Sequence, residues 1–347
     1  MVATQQFMTL PELRRAAQRK LPLAVWDYVC GGAASEATLR HNHRAMSHYE
    51  FVPRVLRDVS HVDLSTTFLG LPLALPIMTA PMGSMYLLDP AGDVAMARAA
   101  GRMGTIHWLS SMTAEPPEEV AAATSGPLVF QLYFRGDNSW CEEIIRRVEA
   151  AGFRALAFTV DNAAYGRRER DLERRLDPTE HPKALNMLAG RGRTPTLTWK
   201  DAEWLMKTTK LPLIVKGIQD AADARIAVEL GVPVVHVSNH GGRNLDFSPA
   251  PIEILPEVVE AVAGRAEIVV DGGFQRGTDV LKALALGARA VVIGKAAAWG
   301  LAAGGEEGLV RTLELFALEL RIAMANTGQT RLADLSPALV RRICRPV

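Results

Sequence analysis

The 347-residue sequence predicts an α/β protein built as a (β/α)8 TIM barrel, with an N-terminal helical extension and a long loop after strand 4. Three observations support this architecture. Eight short apolar runs recur along the chain, helical patterns separate them, and the eight strand–helix units occupy roughly 230 residues, the usual size of such a barrel. A doubly wound sheet is the alternative, but eight evenly built units favour closure.

The eight apolar runs are continuous rather than alternating, as expected of parallel strands that are buried on both faces. They are rich in Val, Ile, Leu and Phe, and Gly, Pro or Asp bounds them. We expect strands at Ala74–Ala80, Thr105–Ser110, Leu128–Tyr133, Ala155–Val160, Leu213–Lys216, Val234–Ser238, Ile268–Asp271 and Ala290–Ile293.

Helical patterns lie between these runs. One begins at Asp89-Pro90, where proline suits a first helical position, and runs to Gly104. The segments 139–152, 220–231 and 278–287 each carry an apolar face and end at a glycine, which is typical of a helix and its C-terminal cap.

Two parts of the single domain 1–347 fall outside the barrel, which we place at residues 74–305. Residues 1–73 are expected to hold helices at about Leu10–Arg19 and Ala24–Val29, followed by a polar connection. Residues 306–347 are expected to hold C-terminal helices, including an amphipathic one at Arg311–Asn326.

The connection between the fourth and fifth strands, Asn162–Pro212, is much longer than its counterparts. It is rich in charge and carries a short helical pattern at about Trp199–Thr208. Long loops in compact domains are usually functional or disordered, so a lid and a solvated insertion both remain open.

Composition narrows the class of protein. The 39 Lys and Arg residues balance 38 Asp and Glu residues, so no net field favours nucleic acid or an acidic membrane surface. The most apolar stretch, Leu69–Leu88, contains Pro72, Pro76 and Pro81 and is therefore no membrane helix. Three cysteines are too few for a disulfide framework, and the N-terminus lacks the apolar core of a signal peptide. We expect a cytoplasmic enzyme.

Polar side chains follow the predicted strands at the end where the active site of a barrel forms. Where two of them follow one strand they are spaced by two, so both project from the same face. The set is Gln131, Tyr133, Thr159, Asp161, Lys216, Ser238, His240 and Asp271. Their convergence on one mouth indicates a catalytic site rather than a purely structural barrel.

The last two units carry a phosphate signal. Each runs from a strand through a glycine turn into a helix, so that backbone N–H groups and a helix N-terminus face an anion. Arg276 and Lys295 lie beside these turns, at the usual phosphate position of the barrel. The glycines could also be simple connectors, but two such turns indicate a phosphorylated cofactor or substrate.

The segment VSNHGGRNLD, residues 237–246, is the densest chemical feature. It places His240 and Arg243 three residues apart on a glycine-bent loop. An imidazole can act as a general base and a guanidinium can hold a carboxylate, so the pair suggests chemistry on an organic acid. A plain turn with a surface histidine is the alternative.

Further motifs recur in order from about Leu10 to Leu335. They are WDYVCGGA (26–33), LPIMTAP (75–81), FQLY (130–133), TVD (159–161), GRRERD (166–171), VKG (215–217), SNHGGR (238–243), DGG (271–273) and KALALGA (282–288). With these motifs the chain resembles the FMN-dependent L-2-hydroxy acid oxidases and dehydrogenases, such as glycolate oxidase, lactate oxidase and mandelate dehydrogenase. The resemblance implies an FMN enzyme that converts a 2-hydroxy acid to a 2-oxo acid, with oxygen or another compound reoxidising the flavin.

The resemblance also implies roles for residues of the substrate site. His240 would take a proton, and Asp161 would stabilise the resulting imidazolium. Arg243, Arg168 and Tyr28 would hold the substrate carboxylate, and Tyr133 would hydrogen-bond a substrate oxygen.

For the cofactor, the resemblance places Lys216 beside the flavin ring, where its charge favours the reduced form. The flavin's polar edge and ribityl chain would contact Ser110, Gln131, Thr159 and Ser238, and the backbone at Pro81, Met82 and Gly83 would pass close to the ring. The remaining cofactor-binding residues would be Tyr133, Asp271, Gly272, Gly273, Gln275, Gly294 and Lys295.

The chain departs from the pattern of this family at two sets of positions. Gln275 and Lys295 stand where arginines usually grip the phosphate, which weakens bidentate anion binding. Met112 replaces an aromatic residue, Gly83 replaces an alanine and Met82 replaces a threonine. A flexible thioether in place of a rigid ring favours a larger, apolar substrate, such as an aryl or branched 2-hydroxy acid.

Two other functions remain open on the same scaffold. An amine or a modified peptide residue would use His240 as the same base, and a binding protein that has lost its flavin is the third possibility. We expect no metal site, because His41 and His43 lack a third ligand and are interpreted as a surface pair. The resemblance further implies a homo-oligomer, with a tetramer as the expected form.

Overall fold

The computed structural model describes residues 7–134, 137–176 and 196–343. The N-terminal extension forms helices α1 (Leu10–Lys20), α2 (Leu23–Cys30) and α3 (Ala37–Met46). The first two agree with the prediction, and α1 begins where the Thr9 hydroxyl accepts a hydrogen bond from the backbone N–H of Glu12. The polar connection expected after α2 is wrong, because α3 occupies much of it.

Short strands flank the extension and the start of the barrel. Strands β2 (Thr66–Phe68) and β3 (Leu71–Leu73) form an antiparallel hairpin. Phe68 of this hairpin is fully buried among the barrel residues Met78 and Trp108, so the hairpin seals the barrel interior. Strand β1 (Tyr49–Phe51) pairs antiparallel with β12 (Val340–Arg342) near the C-terminus.

Eight parallel strands form the closed barrel, in agreement with the prediction. They are β4 (Ile77–Thr79), β5 (His107–Ser110), β6 (Leu128–Leu132), β7 (Ala155–Thr159), β8 (Leu213–Ile218), β9 (Val234–Val237), β10 (Glu267–Val270) and β11 (Ala290–Ile293). The barrel closes where β11 pairs with β4, and the carbonyl of Pro76 accepts the first bond of this ladder from Val291. Strand β4 is shorter than predicted, because a proline at 76 has no N–H to donate.

Helices surround the barrel. They are α4 (Gly92–Arg102), α5 (Pro117–Ala122), α6 (Asn138–Ala150), α7 (Glu169–Arg174), α8 (Trp199–Thr208), α9 (Ala221–Glu229), α10 (Pro251–Val262), α11 (Gly277–Ala285) and α12 (Lys295–Asn326). The helix expected from Asp89 begins at Gly92 instead, because the Asp89 carboxylate accepts the backbone N–H of Ala91 and forms a turn. The helix predicted at Arg311–Asn326 is the second half of α12, which bends at Gly304 and Gly305.

The long connection after β7 is described only in part. Residues 177–195 lie outside the described residues, and with them the central part of the predicted lid or insertion. The described part before them forms α7 and the part after them forms α8, which has the predicted bounds. No helix among the described residues is long and apolar enough to cross a membrane.

Candidate active site

A cavity of about 970 Å³ opens at the carboxyl ends of the barrel strands. This volume lies at the upper end of the range for small-molecule and cofactor sites. Most of the predicted site residues line it, including Tyr28 and Lys295. The cavity is therefore large enough for a cofactor and a substrate together.

His240 lies at the centre of this site, on the turn that follows β9. Its Nδ1 is 3.0 Å from Oδ1 of Asp161, and its Nε2 is 3.2 Å from the Tyr133 hydroxyl. Because a carboxylate only accepts hydrogen bonds, the neutral ring carries its proton on Nδ1 and accepts from Tyr133 at Nε2. Burial lowers the pKa of His240, and Asp161 offsets this shift only in part. The imidazole is thus a neutral base, and its unprotonated nitrogen lies beside Tyr133, another residue of the cavity wall.

The turn that carries His240 has an unusual backbone. His240 has a φ of 58°, and Gly241 and Gly242 follow with φ values of 63° and 75°. A Cβ at Gly242 would lie 2.8 Å from the backbone nitrogen of Leu39 in α3, so this position must be glycine. Three successive residues in the left-handed region hold the ring at the mouth of the barrel and press the turn against α3.

Two guanidinium groups and a phenol lie beside the base. Arg243 Nη1 donates to the carbonyl oxygens of Tyr28 at 2.6 Å and Gly31 at 3.0 Å, at the C-terminal end of α2. Arg168 is only 7% exposed and donates to the Arg243 carbonyl and to the Tyr165 hydroxyl. Burial and the nearby Arg243 lower the pKa of Arg168. Two crowded guanidiniums in one cavity form a site for an anion such as a carboxylate.

Lys216 is a second buried cation, at the carboxyl end of β8. Its Nζ donates to Ser238 Oγ at 2.7 Å and to Asp271 Oδ2 at 2.9 Å. Burial opposes its charge, but the carboxylates of Asp271 and Asp161 raise the pKa of Lys216. Asp271 also lies 3.2 Å from His236 Nε2, and Lys216 and His236 together hold its pKa well below the usual value. Lys216 is therefore a charged group on the cavity wall.

A chain of polar side chains runs along the ends of β5, β6 and β7. Ser110 donates to Gln131 Oε1, and Gln131 Nε2 donates to Thr159 Oγ1, both at 2.9 Å. Ser110 lines the cavity, while Gln131 and Thr159 are buried next to it. These hydroxyl and amide groups can bond a polar ring edge or a polyol chain.

The part of the cavity around Gly272, Gly273 and Lys295 suits a phosphate. Gly272 and Gly273 have φ values of 95° and 93°, and a Cβ at Gly273 would lie 2.4 Å from the Asn42 carbonyl oxygen. Lys295 is half-buried there and donates to the Gly241 carbonyl at 3.1 Å. Burial and the charge of Arg243 lower the pKa of Lys295 to about 7. A glycine cradle around an ammonium that has no carboxylate partner among the described residues fits the phosphate of a cofactor.

The apolar wall of the cavity includes Met82, Gly83 and Met112. A Cβ added at Gly83 would lie 2.8 Å from the Met112 Cβ, so the missing side chain lets Met112 pack on the backbone at Gly83. The backbone at Pro81 and Gly294 completes this side.

The structure brings together every predicted site residue, although four of them do not line the cavity. Asp161, Gln131 and Ser238 are hydrogen-bonded to the lining residues His240, Ser110 and Lys216, and Thr159 is hydrogen-bonded to Gln131.

Other lining residues were not predicted. Tyr165 lies under the Arg168 guanidinium, 4.3 Å from ring centre to Cζ, and directly precedes the GRRERD motif that could have drawn attention to it. The interpretation of His43 as a surface residue is wrong, because its ring lines the cavity and bonds Gly273 and Gln275. Helix α3, which carries His43, was itself not predicted.

Known proteins match nearly the whole chain. A family model described as FMN-dependent dehydrogenase matches residues 17–342. Glycolate oxidase 1 of Oryza sativa subsp. indica is 43% identical over 96% of this chain and 97% of its own, and a peroxisomal (S)-2-hydroxyacid oxidase of Arabidopsis thaliana is 40% identical over 97% of each. The (S)-mandelate dehydrogenase of Pseudomonas putida, solved as a soluble mutant of a membrane-associated enzyme, superposes with a TM-score of 0.93 at 33% identity over 97% of this chain and 100% of its own. A mandelate oxidase mutant with (S)-mandelic acid gives 0.92 at 37% identity over 99% and 100%.

Proposed function

The chain belongs to the FMN-dependent dehydrogenase family, and from that premise we propose that it oxidises an L-2-hydroxy acid to the 2-oxo acid. One observation carries the proposal: a neutral His240, oriented by Asp161, shares a cavity with the guanidinium groups of the buried Arg168 and the half-buried Arg243. A base beside a carboxylate-binding site is the arrangement that removal of a proton from a 2-hydroxy acid requires.

When FMN is bound in this cavity, it would accept the two electrons that leave the substrate. We assign its phosphate to the end of the cavity around Gly272, Gly273, Gln275 and Lys295. Its ring is assigned to the middle of the cavity beside Lys216, whose charge favours a ring that has gained electrons. The polar chain of Ser110, Gln131 and Thr159 serves the ring edge and the ribityl group.

The substrate is held at the other end of the cavity. The guanidiniums of Arg243 and Arg168 and the phenol of Tyr28 bind its carboxylate and fix its α-carbon near the base. Tyr133 donates to His240 Nε2 in the free site and turns to the substrate oxygen when the acid binds. His240 Nε2 accepts one proton from the substrate, and Asp161 stabilises the imidazolium through Nδ1. The second hydrogen and the two electrons would pass to the flavin.

We propose further that the substrate is larger or more apolar than glycolate. The relatives by sequence include glycolate oxidases, while the solved structures include a mandelate oxidase with (S)-mandelic acid. The side chains of Met82, Met112 and Leu172 line the cavity in this chain. Flexible apolar side chains accommodate an aryl or branched group and give a small polar acid little to contact.

Anaerobic reduction tests the function directly. The purified protein is mixed with (S)-mandelate, (S)-lactate, a branched 2-hydroxy acid and glycolate, and the loss of visible flavin absorbance is followed. We expect bleaching that is fastest with the aryl or branched acid. His240→Gln should retain the flavin but reduce the rate of bleaching on the order of 100-fold or more, because the amide cannot take the proton.

The other outcomes are equally informative. A yellow protein that no hydroxy acid bleaches would move the amine or modified-peptide substrate to the front. A colourless protein that takes up no FMN would contradict the function proposed. Air admitted after bleaching identifies the acceptor, since rapid return of the colour indicates an oxidase and a persistent reduced flavin indicates a dehydrogenase with another partner.

Assembly and location also belong to this proposal. We expect a homo-oligomer in the cytoplasm, although one relative is a peroxisomal enzyme. Light scattering of the purified holoenzyme measures the oligomeric state, and fractionation of the source cells measures the location. A monomer, or an enzyme recovered in an organelle, would contradict these two expectations.

A further inference from the structure

Three side chains from separate elements meet at the phosphate end of the cavity. His43 comes from α3, Gln275 follows β10, and Lys295 is the first residue of α12. The His43 ring is 3.0 Å from the Gly273 carbonyl through Nδ1 and 3.1 Å from the Gln275 amide through Nε2. Histidine and the glycine cradle are therefore one connected group.

The hydrogen bonds of His43 fix where its proton lies. The Gly273 carbonyl only accepts, so Nδ1 carries the proton and the neutral ring accepts the Gln275 amide at Nε2. Protonation would place a second N–H at Nε2, next to the Gln275 side chain, which also lines the cavity. His43 thus changes from an acceptor to a donor at this end of the cavity when it gains a proton.

Lys295 lacks an acidic partner. Among the described residues no carboxylate lies within ion-pair distance of its Nζ, whose hydrogen-bond acceptor is the carbonyl of Gly241. The charged and titratable groups that act on it are Arg243, Arg168, Cys30 and Asp271, and burial together with Arg243 lowers its pKa to about 7. Burial likewise lowers the pKa of His43, with Lys295 and Arg14 as the nearby cations and Gly273 as the opposing hydrogen bond.

We propose that His43 is a further phosphate-binding residue, and that FMN binds this chain with uptake of protons by Lys295 and His43. The inference rests on the proposed function, because it takes FMN as the ligand. A guanidinium at position 275 or 295 would keep its charge at every physiological pH, whereas an imidazole and a buried ammonium lose theirs. Retention of the cofactor is therefore linked to pH through this chain's own side chains.

The direction in which pH changes the affinity for FMN follows from the charges of the phosphate, Lys295 and His43. A phosphate dianion stabilises the protonated forms, so the pKa values of Lys295 and His43 are higher in the FMN complex than in the free protein. Affinity is full below the pKa values of the free protein and falls as pH rises through them. For each proton that is taken up on binding, the affinity for FMN falls about tenfold for each unit by which the pH rises in that window.

Flavin binding to the full-length apoprotein, prepared by removing FMN from the holoenzyme, tests the inference without a catalytic readout. Quenching of flavin fluorescence gives the Kd of FMN and of riboflavin from about pH 6 to about pH 9, which spans the ordinary titration range of a histidine and of this lysine. We expect the Kd of FMN to rise at least tenfold across this range. Riboflavin has no phosphate, and its Kd should stay constant within about twofold.

Two variants separate the contributions. Lys295→Arg keeps the charge at all pH values and should remove most of the pH dependence for FMN. His43→Asn retains a donor for the Gly273 carbonyl but no titratable ring, and should weaken FMN about fivefold to tenfold at the acid end with no change for riboflavin. Circular dichroism at each pH verifies that the fold is unchanged.

Three results would contradict the inference, and each one contradicts a different part of it. A Kd of FMN that is constant with pH, or one that changes in parallel with that of riboflavin, overturns the inference and leaves the proposed function intact. An unchanged FMN affinity in His43→Asn removes His43 from the phosphate site. Failure of both flavins to bind at any pH overturns the inference and the proposed function together.

Discussion

His240 is the residue at which sequence and structure meet most closely. The motif around it places a histidine after β9, and the structure adds the two contacts that determine its chemistry, Asp161 at Nδ1 and Tyr133 at Nε2. The burial of the ring could not be derived from the motif, yet burial is what keeps the base neutral. A residue type is thus predictable from sequence, while its protonation depends on side chains from three separate strand ends.

Replacement of Asp161 by Asn tests the orientation of this base. The Asn amide can donate to Nδ1, which moves the ring proton to Nε2 and occupies the atom that must accept a proton. We expect kcat to fall on the order of 100-fold or more while the Km for the hydroxy acid changes little. The exposed Asp58→Asn is the matched control and should behave as the wild type.

The pH profile separates this role from a structural one. His240 must be neutral to act, and burial lowers its pKa below the ordinary 6.5, so kcat/KM should rise with pH only on the acid side of that value. Asp161 partly raises the pKa of His240, so its removal should shift the acid limb to still lower pH. An acid limb that stays in place in Asp161→Asn would contradict the pairing.

Among the elements, the barrel strands were easier to predict than the helices. Continuous runs of Val, Ile and Leu have few alternatives to a strand that is buried on both faces, and all eight form. Helix α10 contains Pro251 and Pro256, which suggest a loop in sequence. In the structure Pro251 occupies the first turn, and the Ile252 carbonyl, which Pro256 cannot bond, accepts the Tyr49 hydroxyl at 3.3 Å.

Helix α3, which contributes His43 to the cavity, was also not predictable from a local sequence pattern. Its buried positions include Thr38 and Asn42, so no apolar stripe marks it in the sequence. Asn42 and Asn239 exchange hydrogen bonds between their side chains and tie α3 to the turn that carries His240. The helix is required by long-range polar contacts, which a local pattern does not encode, and His43 was consequently misplaced.

The loop after β4 provides a test of substrate size. A methyl group at Gly83 would lie 2.8 Å from the Cβ of Met112, so Gly83→Ala should push Met112 into the cavity. We expect the Km for (S)-mandelate to rise about tenfold and the Km for (S)-lactate to change less than about twofold, since only the larger acid needs the space. The double variant Gly83→Ala with Met112→Gly removes the Cβ that the new methyl group meets and should restore the affinity for mandelate. Equal changes for both acids would contradict the assignment of this wall to the substrate side chain.

At the scale of the whole molecule, α12 connects the active site to the outer packing. It begins with Lys295 at the phosphate end of the cavity and packs against α1, α4 and α11. The helix expected after the glycine turn at Gly294 is confirmed as its first half, although the five alanines and four glycines between residues 296 and 308 also resemble a connector. Small residues allow this segment to pack closely against its neighbours, so its composition indicates close packing rather than disorder.

The close packing within α12 predicts where the molecule is sensitive to a single methyl group. A Cβ at Gly300 would meet the Thr312 hydroxyl oxygen and would lie 2.8 Å from the Gly308 carbonyl oxygen, so Gly300→Ala must displace the two halves of the helix. Overpacking of this kind costs about 1–3 kcal/mol of the free energy of unfolding, measured by denaturant titration of the holoenzyme. Gly304→Ala is the matched control, because no atom lies within 4 Å of the added carbon and its φ is negative, and it should change stability by less than about 0.5 kcal/mol. Equal stabilities of the two variants would show that the halves of α12 are not held as closely as the structure indicates.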